Sequence, residues 1–464
     1  MNRRSKTTMR AILAAGVLAW VAMAPPAGGQ TTREGGDLSA DFRQIVQQGK
    51  GQVFPAVVFI KCIRESHESG ERKSEEVAGS GVLITPQGEL LTNWHVVDKA
   101  TEIRCLLLDG RAMRARVVGI DKDTDLALLS LEDIGPDQPV SFAGLGDSSS
   151  LNEGDFVMAM GAPWGLNRSV SIGIISCTRR FLAKASQYSL WLQTDASICP
   201  GNSGGPLVNT AGQVVGITTL GTFFGGDMGF AVPASTIAEI LPQLREHGQV
   251  QWTWTGLQLQ ALRDFEKNMF FDAAEGIIVA ETDPDSPARA AGVTANDRII
   301  RINGRPLTAR QEEDLPDIRR WIGLLPGDQA MTIDLVRDGR EMSLNLTPRP
   351  KGRVEGEELD CPRWDLTVKA INQFDNPDLY FYRQKGVFIF GTRYPGNAAD
   401  SGLRRGDIVL QINHEQVTSL DDARRVYDAA VKNIDTEHRI MFNVLRNGEE
   451  RQVVLDFARD YRRE

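Results

Sequence analysis

Three residue types in one chain order carry the chemistry of this sequence: His95, Asp125 and Ser203. Ser203 lies in Pro200-Gly201-Asn202-Ser203-Gly204-Gly205-Pro206, where the glycines permit a tight turn that exposes a hydroxyl and aims backbone N–H groups inward. His95 sits in Leu90-Leu91-Thr92-Asn93-Trp94-His95-Val96-Val97, an apolar, strand-like run in which an imidazole needs a specific partner. Asp125, in Asp123-Thr124-Asp125-Leu126-Ala127-Leu128-Leu129, marks a loop entering an apolar strand. Taken singly, each has an ordinary structural explanation: a plain turn, a satisfied core histidine, a loop carboxylate. Together they supply what acyl transfer from a peptide requires: a nucleophile, a base, and a carboxylate to orient the base. Donors for the oxyanion would come from the Gly201, Asn202 and Ser203 turn, with the amides of Gly201 and Ser203 as the natural pair. Metal chemistry lacks a comparable pattern, since His67, His247, His414 and His438 fall in unrelated segments without an HExxH or Cys/His spacing. No metal and no cofactor is expected.

The elements that must position these residues are short. From about residue 52 to 233 the chain offers apolar runs broken by Gly, Asn, Asp and Pro, among them Val57 to Ile60, Gly81 to Ile84, Leu90 to Thr92, Leu126 to Leu129, Phe156 to Met160, Val170 to Ile175 and Val214 to Thr218. Many short strands with turn signals predict an all-β barrel or sandwich. A helix closes the region: Thr236 and Glu239 offer a capping box, Ile237, Ile240, Leu241 and Leu244 share a face, and Pro242 should bend the helix or cut it short.

Beyond it lies a repeat at a constant offset of 110 residues, mapping Trp254 onto Trp364, Gly276 onto Gly386, Gly292 onto Gly402, Asp297 onto Asp407, and Ile302-Asn303 onto Ile412-Asn413. Between the copies, Pro348 to Gly356 is polar, rich in Pro and Gly, and reads as a linker. In the first copy Ser286, Pro287 and Gly292 mark both ends of a short helix, and a strand at Arg298 to Ile302 ends in an Asn303-Gly304 turn. The second copy repeats the plan from Asn397 to Ile412 with weaker caps.

At 464 residues the chain exceeds one hydrophobic core and calls for two to four domains, while 41% hydrophobic and 24% charged residues are ordinary for a soluble globular protein. Residues 1 to 30 differ: Arg3, Arg4, Lys6 and Arg10 precede an apolar stretch from Ala11 to about Ala24, the pattern of a cleaved signal peptide. Cleavage is expected after Ala24 or near Gln30; the alternative, an uncleaved anchor, is disfavoured because the apolar stretch is short for a span. Removing four positive charges would take the net charge from −9 to −13, which argues against nucleic acid as a partner. A periplasmic or otherwise exported protein is expected. Cys62, Cys105, Cys177, Cys199 and Cys361 are too few and scattered for a disulfide scaffold. Cys62 and Cys105 share the apolar phase of predicted strands, so a bridge and two small buried hydrophobes are both open.

LLTNWHVV, DTDLALL, QTDASICPGNSGGP and GFAVP, followed by two PDZ-like copies, resemble the HtrA/DegP family of periplasmic serine proteases over nearly the whole chain beyond the leader. The resemblance implies a mainly β protein: a double six-stranded, trypsin-like barrel with the triad between barrels, followed by two PDZ-like α/β domains. The expected boundaries are 38–248 for the protease, 250–348 and 363–460 for the PDZ domains, and 349–362 for the linker. It further implies ATP-independent cleavage of unfolded or damaged proteins and a trimeric building block, to which Phe42 and Phe54 could bring aromatic contacts.

Trypsin-like zymogens pair an aspartate before the nucleophile with a freshly cut amine, but the residue here is Asn202, a neutral amide that cannot form that ion pair. Activation should then depend on loop ordering, with Arg180 matching the arginine that senses the PDZ domain in this family. Ser197 stands at the trypsin-like pocket base, and Met228, Gly229 and Phe230 resemble the family's pocket wall, which predicts cleavage after small or medium aliphatic residues. Asp195 is near but belongs to the QTDA strand. Trp254, Thr255, Gly256 and Leu257 resemble the family's carboxylate-binding loop, which would capture peptide C-termini. In the second copy Leu366 replaces the glycine and Asp365 adds an anion, so that copy is expected to support or assemble. The rival class is a chaperone or scaffold on an inactive protease fold.

Overall fold

The computed structural model describes residues 38–461 apart from 136–137, 164–167, 184, 222–227 and 265–267, with the side chains at 38–42 and 220–221 also outside it. The leader and the Phe42 ring therefore lie outside the described residues. Helix α1 (Leu38–Val53) leads into the first barrel. That barrel holds β1 (Val57–Ser66), β2 (Lys73–Leu83), β3 (Glu89–Thr92), β4 (Ala100–Leu106), β5 (Ala112–Asp121) and β6 (Leu126–Leu131), closed in the order β1-β2-β3-β6-β5-β4. The second holds β7 (Phe156–Gly161), β8 (Ser169–Phe181), β9 (Leu190–Thr194), β10 (Pro206–Asn209), β11 (Val214–Gly221) and β12 (Gly229–Pro233), closed as β10-β11-β12-β9-β8-β7.

Alternation makes these strands what they are. In β4, Ile103 and Cys105 are buried while Arg104 and Leu106 face water, as a strand with one wet side requires. The run Leu126 to Leu129 in β6 is buried throughout, because helix α2 (Ala234–His247) packs over β5 and β6 on the outside of the barrel. β1 and β4 pair antiparallel with Cys62 opposite Ile103 and Cys105 opposite Ile60. Both thiols are free, and burial pushes each up to about 12, so they behave as small apolar residues.

Helix α2 departs from the expected capping box at its start and is not cut short at Pro242. It begins at Ala234 after an extended Pro233, which leaves Thr236 buried inside the first turn rather than capping it. It also runs through Pro242 to a left-handed Gly248. The carbonyl four residues earlier belongs to Ala238, which is exposed like Pro242 itself, so water can replace the missing donor.

The two repeat copies fold alike, each around its own core. The first orders its main strands as Leu257–Gln260, Ile277–Thr282, Arg298–Ile302, Met331–Arg337 and Arg340–Leu346, with the helix Leu315–Gly323. In the second the same order runs Leu366–Ala370, Val387–Thr392, Ile408–Ile412, Arg439–Arg446 and Glu449–Asp456, with the helix Leu420–Lys432. The Ser286 hydroxyl caps its helix by accepting the Arg289 amide at 3.2 Å, and Asn303-Gly304 turns with both residues at positive φ.

Candidate active site

The last strands before each loop place the chemistry. β3 ends at Thr92, and His95 sits on a single helical turn, Trp94–Val97, rather than on the strand its apolar neighbours suggested. Val96 and Val97 bury their side chains and fix the turn, leaving the imidazole at the barrel rim. Asp125 occupies the position before β6 with φ +55, a left-handed conformation that a short Asp tolerates. Its Oδ1 and Oδ2 lie 3.0 and 2.9 Å from His95 Nδ1, and Oδ1 also accepts the His95 amide at 3.1 Å. Asn93 Nδ2 donates to the Asp125 carbonyl at 3.0 Å, so the carboxylate cannot swing away with its loop.

Ser203 is brought to the same rim from the second barrel by the turn before β10. Its amide-bearing turn is pinned to β2: the Ser80 amide donates to Ser203 O at 2.8 Å, and the Ser80 hydroxyl donates to Gly201 O at 2.6 Å. Gly204 follows at φ +86, where a Cβ would fall 2.1 Å from Ser80 O; only glycine lets the two barrels close here. The Asn202 amide is spent on Cys199 O at 2.9 Å, so of the three turn residues it offers no oxyanion donor, while the Gly201 and Ser203 amides have no acceptor among the described residues.

Two hydroxyl residues behind the triad escaped the sequence reading. Thr219 on β11 is buried; its hydroxyl donates to Asp125 Oδ2, and its carbonyl accepts the Ser203 hydroxyl at 2.8 Å. A hydroxyl has one hydrogen, so in this arrangement Ser203 does not donate to His95. Ser80 is equally buried and also receives the Ala162 amide at 2.8 Å. The available signal in both cases was a hydroxyl inside an apolar strand, which must find a partner.

Around the specificity region, Ser197 is exposed and its carbonyl accepts the Ser171 hydroxyl at 2.6 Å. Gly229 and Phe230 are buried, Met228 is half-buried, and Ile198 lies over Gly229 as an aliphatic wall that the sequence reading passed over. The Asp195 carboxylate accepts the Ile174 amide at 2.7 Å, which holds it on the strand. Arg180 stays on the protease, donating to Gln193 Oε1 at 2.9 Å, whereas its neighbour Arg179 reaches the first repeat unit and pairs with Asp317 at 2.9 Å. Phe54 packs half-buried against the protease core with Lys50 Nζ 5.0 Å from its ring centre.

The run from Asp121 to Asp125 gathers contacts from the second barrel, the start of the first repeat unit, the linker and the second unit. Trp252 Nε1 donates to Asp121 Oδ1 at 2.7 Å. Lys122 pairs with Glu355 and lies 3.6 Å from Asp375. Lys351 Nζ is 2.8 Å from both Asp123 oxygens, and the Ser186 hydroxyl donates to the Asp123 carbonyl at 2.5 Å. Burial pushes the Asp121 carboxyl up to about 6, the charge of Asp123 adding to the effect against three hydrogen-bond donors.

Away from this site, a cavity of about 750 Å³ opens on the Thr255–Leu259 segment, with Arg319, Lys351, Tyr188, Phe374 and Tyr380 among its walls. Gly256 has φ +73, and a Cβ there would fall 2.1 Å from Ser286 Cβ. The strand Leu257–Gln260 is an edge strand whose Leu259 carbonyl accepts from Arg319 at 2.9 Å.

Two closed six-stranded barrels with His95, Asp125 and Ser203 at their junction, followed by a PDZ region, define a trypsin-like serine protease. Residues 79–217 match the trypsin-like peptidase domain and residues 244–320 the PDZ domain. The chain is 34% identical over 389 residues to a probable DegP-like periplasmic serine endoprotease of Marinomonas sp. (strain MWYL1), covering 82% of this chain and 79% of that one. It is 31% identical to the periplasmic serine endoprotease DegP of Escherichia coli (strain K12), over 82% and 78% of the two chains. Among solved structures, the HtrA-type protease AlgW with a decapeptide aligns at TM-score 0.56 and 30% identity, over 66% of this chain and 98% of that one. The chain belongs to the DegP/HtrA family of serine endoproteases.

Proposed function

We propose that this serine protease is an ATP-independent endopeptidase of the cell envelope that degrades unfolded or damaged proteins and is regulated by peptide capture on its first PDZ domain. His95 acts as general base through Nε2, Asp125 fixes the Nδ1–H tautomer and stabilises the imidazolium, and Ser203 Oγ attacks the scissile carbonyl. The Gly201 and Ser203 amides receive the oxyanion. The observation that carries this reading is the hold of Asp125 on His95 Nδ1 at 2.9 Å, with Thr219 tying the same carboxylate to the Ser203 loop.

The Ser203 hydroxyl must leave the Thr219 carbonyl and turn to His95 before it can react, which supports a resting enzyme activated by loop ordering. Asn202 supports the same view, since no new amine can pair with it. Arg180, or Arg179 through its contact with Asp317, would relay the state of the first PDZ domain to β8. The Trp254 to Leu257 loop, open to the 750 Å³ cavity, would take a peptide C-terminus, with the edge strand adding its backbone. Ser197, Ile198, Met228, Gly229 and Phe230 favour small or medium aliphatic side chains at the cleaved bond. Homotrimers and export through a cleaved signal peptide complete the proposal.

Ser203→Ala is expected to lower hydrolysis of casein by about 10⁴-fold or more while casein still binds. Equal hydrolysis by parent and variant sinks the triad assignment. Fluorophosphonate labelling, absent under every peptide condition, would favour the chaperone reading instead.

A further inference from the structure

The second repeat unit differs from the first at its peptide edge. In the first unit, strand Leu257–Gln260 stands at the sheet edge, and Arg319 of the helix Leu315–Gly323 donates to its Leu259 carbonyl at 2.9 Å. In the second, the equivalent strand Leu366–Ala370 already has a partner there: Glu358–Cys361 pairs with it antiparallel, Glu358 opposite Lys369 and Cys361 opposite Leu366. The same segment packs against the helix Leu420–Lys432 on its other side. It therefore lies between strand and helix, the position an added peptide strand takes in such a module.

We propose that Glu358–Cys361 is a built-in ligand of the second PDZ-like unit, filling its groove so that this unit accepts no free peptide while the segment is seated. The direction agrees, because Cys361 ends beside Leu366, at the start of the strand, where a bound terminus would meet the Trp364–Thr367 loop. The side chains agree as well. Leu359 and Cys361, two apart and on one face, are both buried in the core of the second unit, as alternate ligand side chains would be. Where a terminal carboxylate would sit, the chain continues into Pro362, and the Asp365 side chain accepts the Asn397 amide at 3.0 Å.

The first unit has no such strand along Leu257–Gln260 among the described residues. The residues equivalent to Glu358–Cys361 at the 110-residue offset are Gly248 to Gln251. They run along the protease instead: Gly248 O accepts the Ile120 amide at 3.1 Å, Gln249 bridges Ile120, and Val250 is buried in the protease core. The built-in ligand has a second consequence. Glu358 lies 3.1 Å from His67 and 2.5 Å from Lys99, so the segment that fills the groove also fastens the second unit to the protease.

The inference rests on reading both units as peptide-binding modules, and the test separates the two. In the full chain carrying Ser203→Ala, with no peptide added, hydrogen exchange at Leu366–Ala370 is expected to be about 100-fold slower than at Leu257–Gln260. Equally fast exchange in both strands overturns the proposal. Adding Leu359→Gly and Cys361→Gly removes the two anchoring side chains. A synthetic peptide of residues 356–361 is then expected to slow exchange at Leu366–Ala370 by about 10-fold in that variant and not in its parent. Protection of equal size in the parent means the groove was open and overturns the proposal. Should the double variant not fold, the exchange contrast in the parent decides alone. A failure of the peptide-module reading shows elsewhere, as the absence of protection at Leu257–Gln260 by any peptide with an apolar free C-terminus.

Discussion

The two PDZ-like units share a scaffold and differ in what they do with its edge. In each, a buried aspartate holds an arginine from a later strand: Arg337 donates to both Asp297 oxygens at 2.7 Å and to Gly292 O at 2.8 Å, and Arg446 donates to both Asp407 oxygens at 2.6 Å and to Gly402 O at 2.9 Å. The tryptophans at the offset behave oppositely. Trp364 is buried among Tyr427, Phe442 and Phe457, whereas Trp254 is half-buried, with Arg349 over its ring and Phe374 at its edge. The second unit has drawn its tryptophan and its preceding strand inward and become a closed module. The first leaves its tryptophan half-buried and spends the preceding segment on the protease, where Val250 is buried.

The sharpest break of this comparison is at the tryptophans. Trp364→Ala removes a fully buried ring and is expected to destabilise the second unit by about 3–5 kcal/mol, whereas Trp254→Ala should cost only about 1 kcal/mol. Thermal unfolding of the two variants measures both; similar losses would mean that the units are not differently built. The arginines test what the units share. Arg337→Ala and Arg446→Ala each strand a buried carboxylate, and each should cost about 3 kcal/mol, with the two values agreeing within about 1 kcal/mol. Burial alone would raise the Asp297 carboxyl, yet its hydrogen bonds with Arg337 and Thr294 hold it below the usual range, which marks the pair as a working scaffold element.

A smaller effect separates the loops. Gly256→Val forces a side chain into Ser286 from a left-handed backbone, a strain of about 1–3 kcal/mol. Affinity of the first unit for a peptide with an apolar C-terminus, read by fluorescence anisotropy, is expected to fall at least about 10-fold. Unchanged affinity would move the ligand away from that loop.

Much of this was legible in the sequence, and the limits have physical causes. The His95, Asp125 and Ser203 segments were legible together rather than singly, as an imidazole in an apolar run, a carboxylate in the loop before a strand and a hydroxyl in a glycine-rich turn, and the 110-residue register survived because turn glycines and buried carboxylates occupy equivalent places. The strand Glu358–Cys361 fell inside the segment assigned as linker because Glu358-Leu359-Asp360-Cys361 is short and half charged; only tertiary pairing makes it a strand. Thr219 and Ser80 gave weak signals because a threonine or serine in a strand is common. Pro242 does not end its helix because the carbonyl it orphans, that of exposed Ala238, can turn to water, which the sequence pattern does not tell.

The two units also differ in how they grip the segment leading to Asp125. The second unit and the linker reach it through ions, Asp375 and Glu355 on Lys122 and Lys351 on Asp123, while Trp252, at the start of the first unit, holds it through a neutral indole on buried Asp121. This last contact should carry a pH signature. The Asp121 carboxyl titrates at about 6 in the folded chain and near 3.9 unfolded, so folding takes up a proton between those values. Its stabilising contribution is complete below about pH 4 and is lost as pH rises through about 6. Asp121→Asn removes the titration. The variant should be less stable than the parent at pH 4, because its amide cannot satisfy all three donors, and the gap should narrow by pH 7. Melting curves of parent and variant across that range measure the difference; parallel curves would show that Asp121 keeps an ordinary pKa.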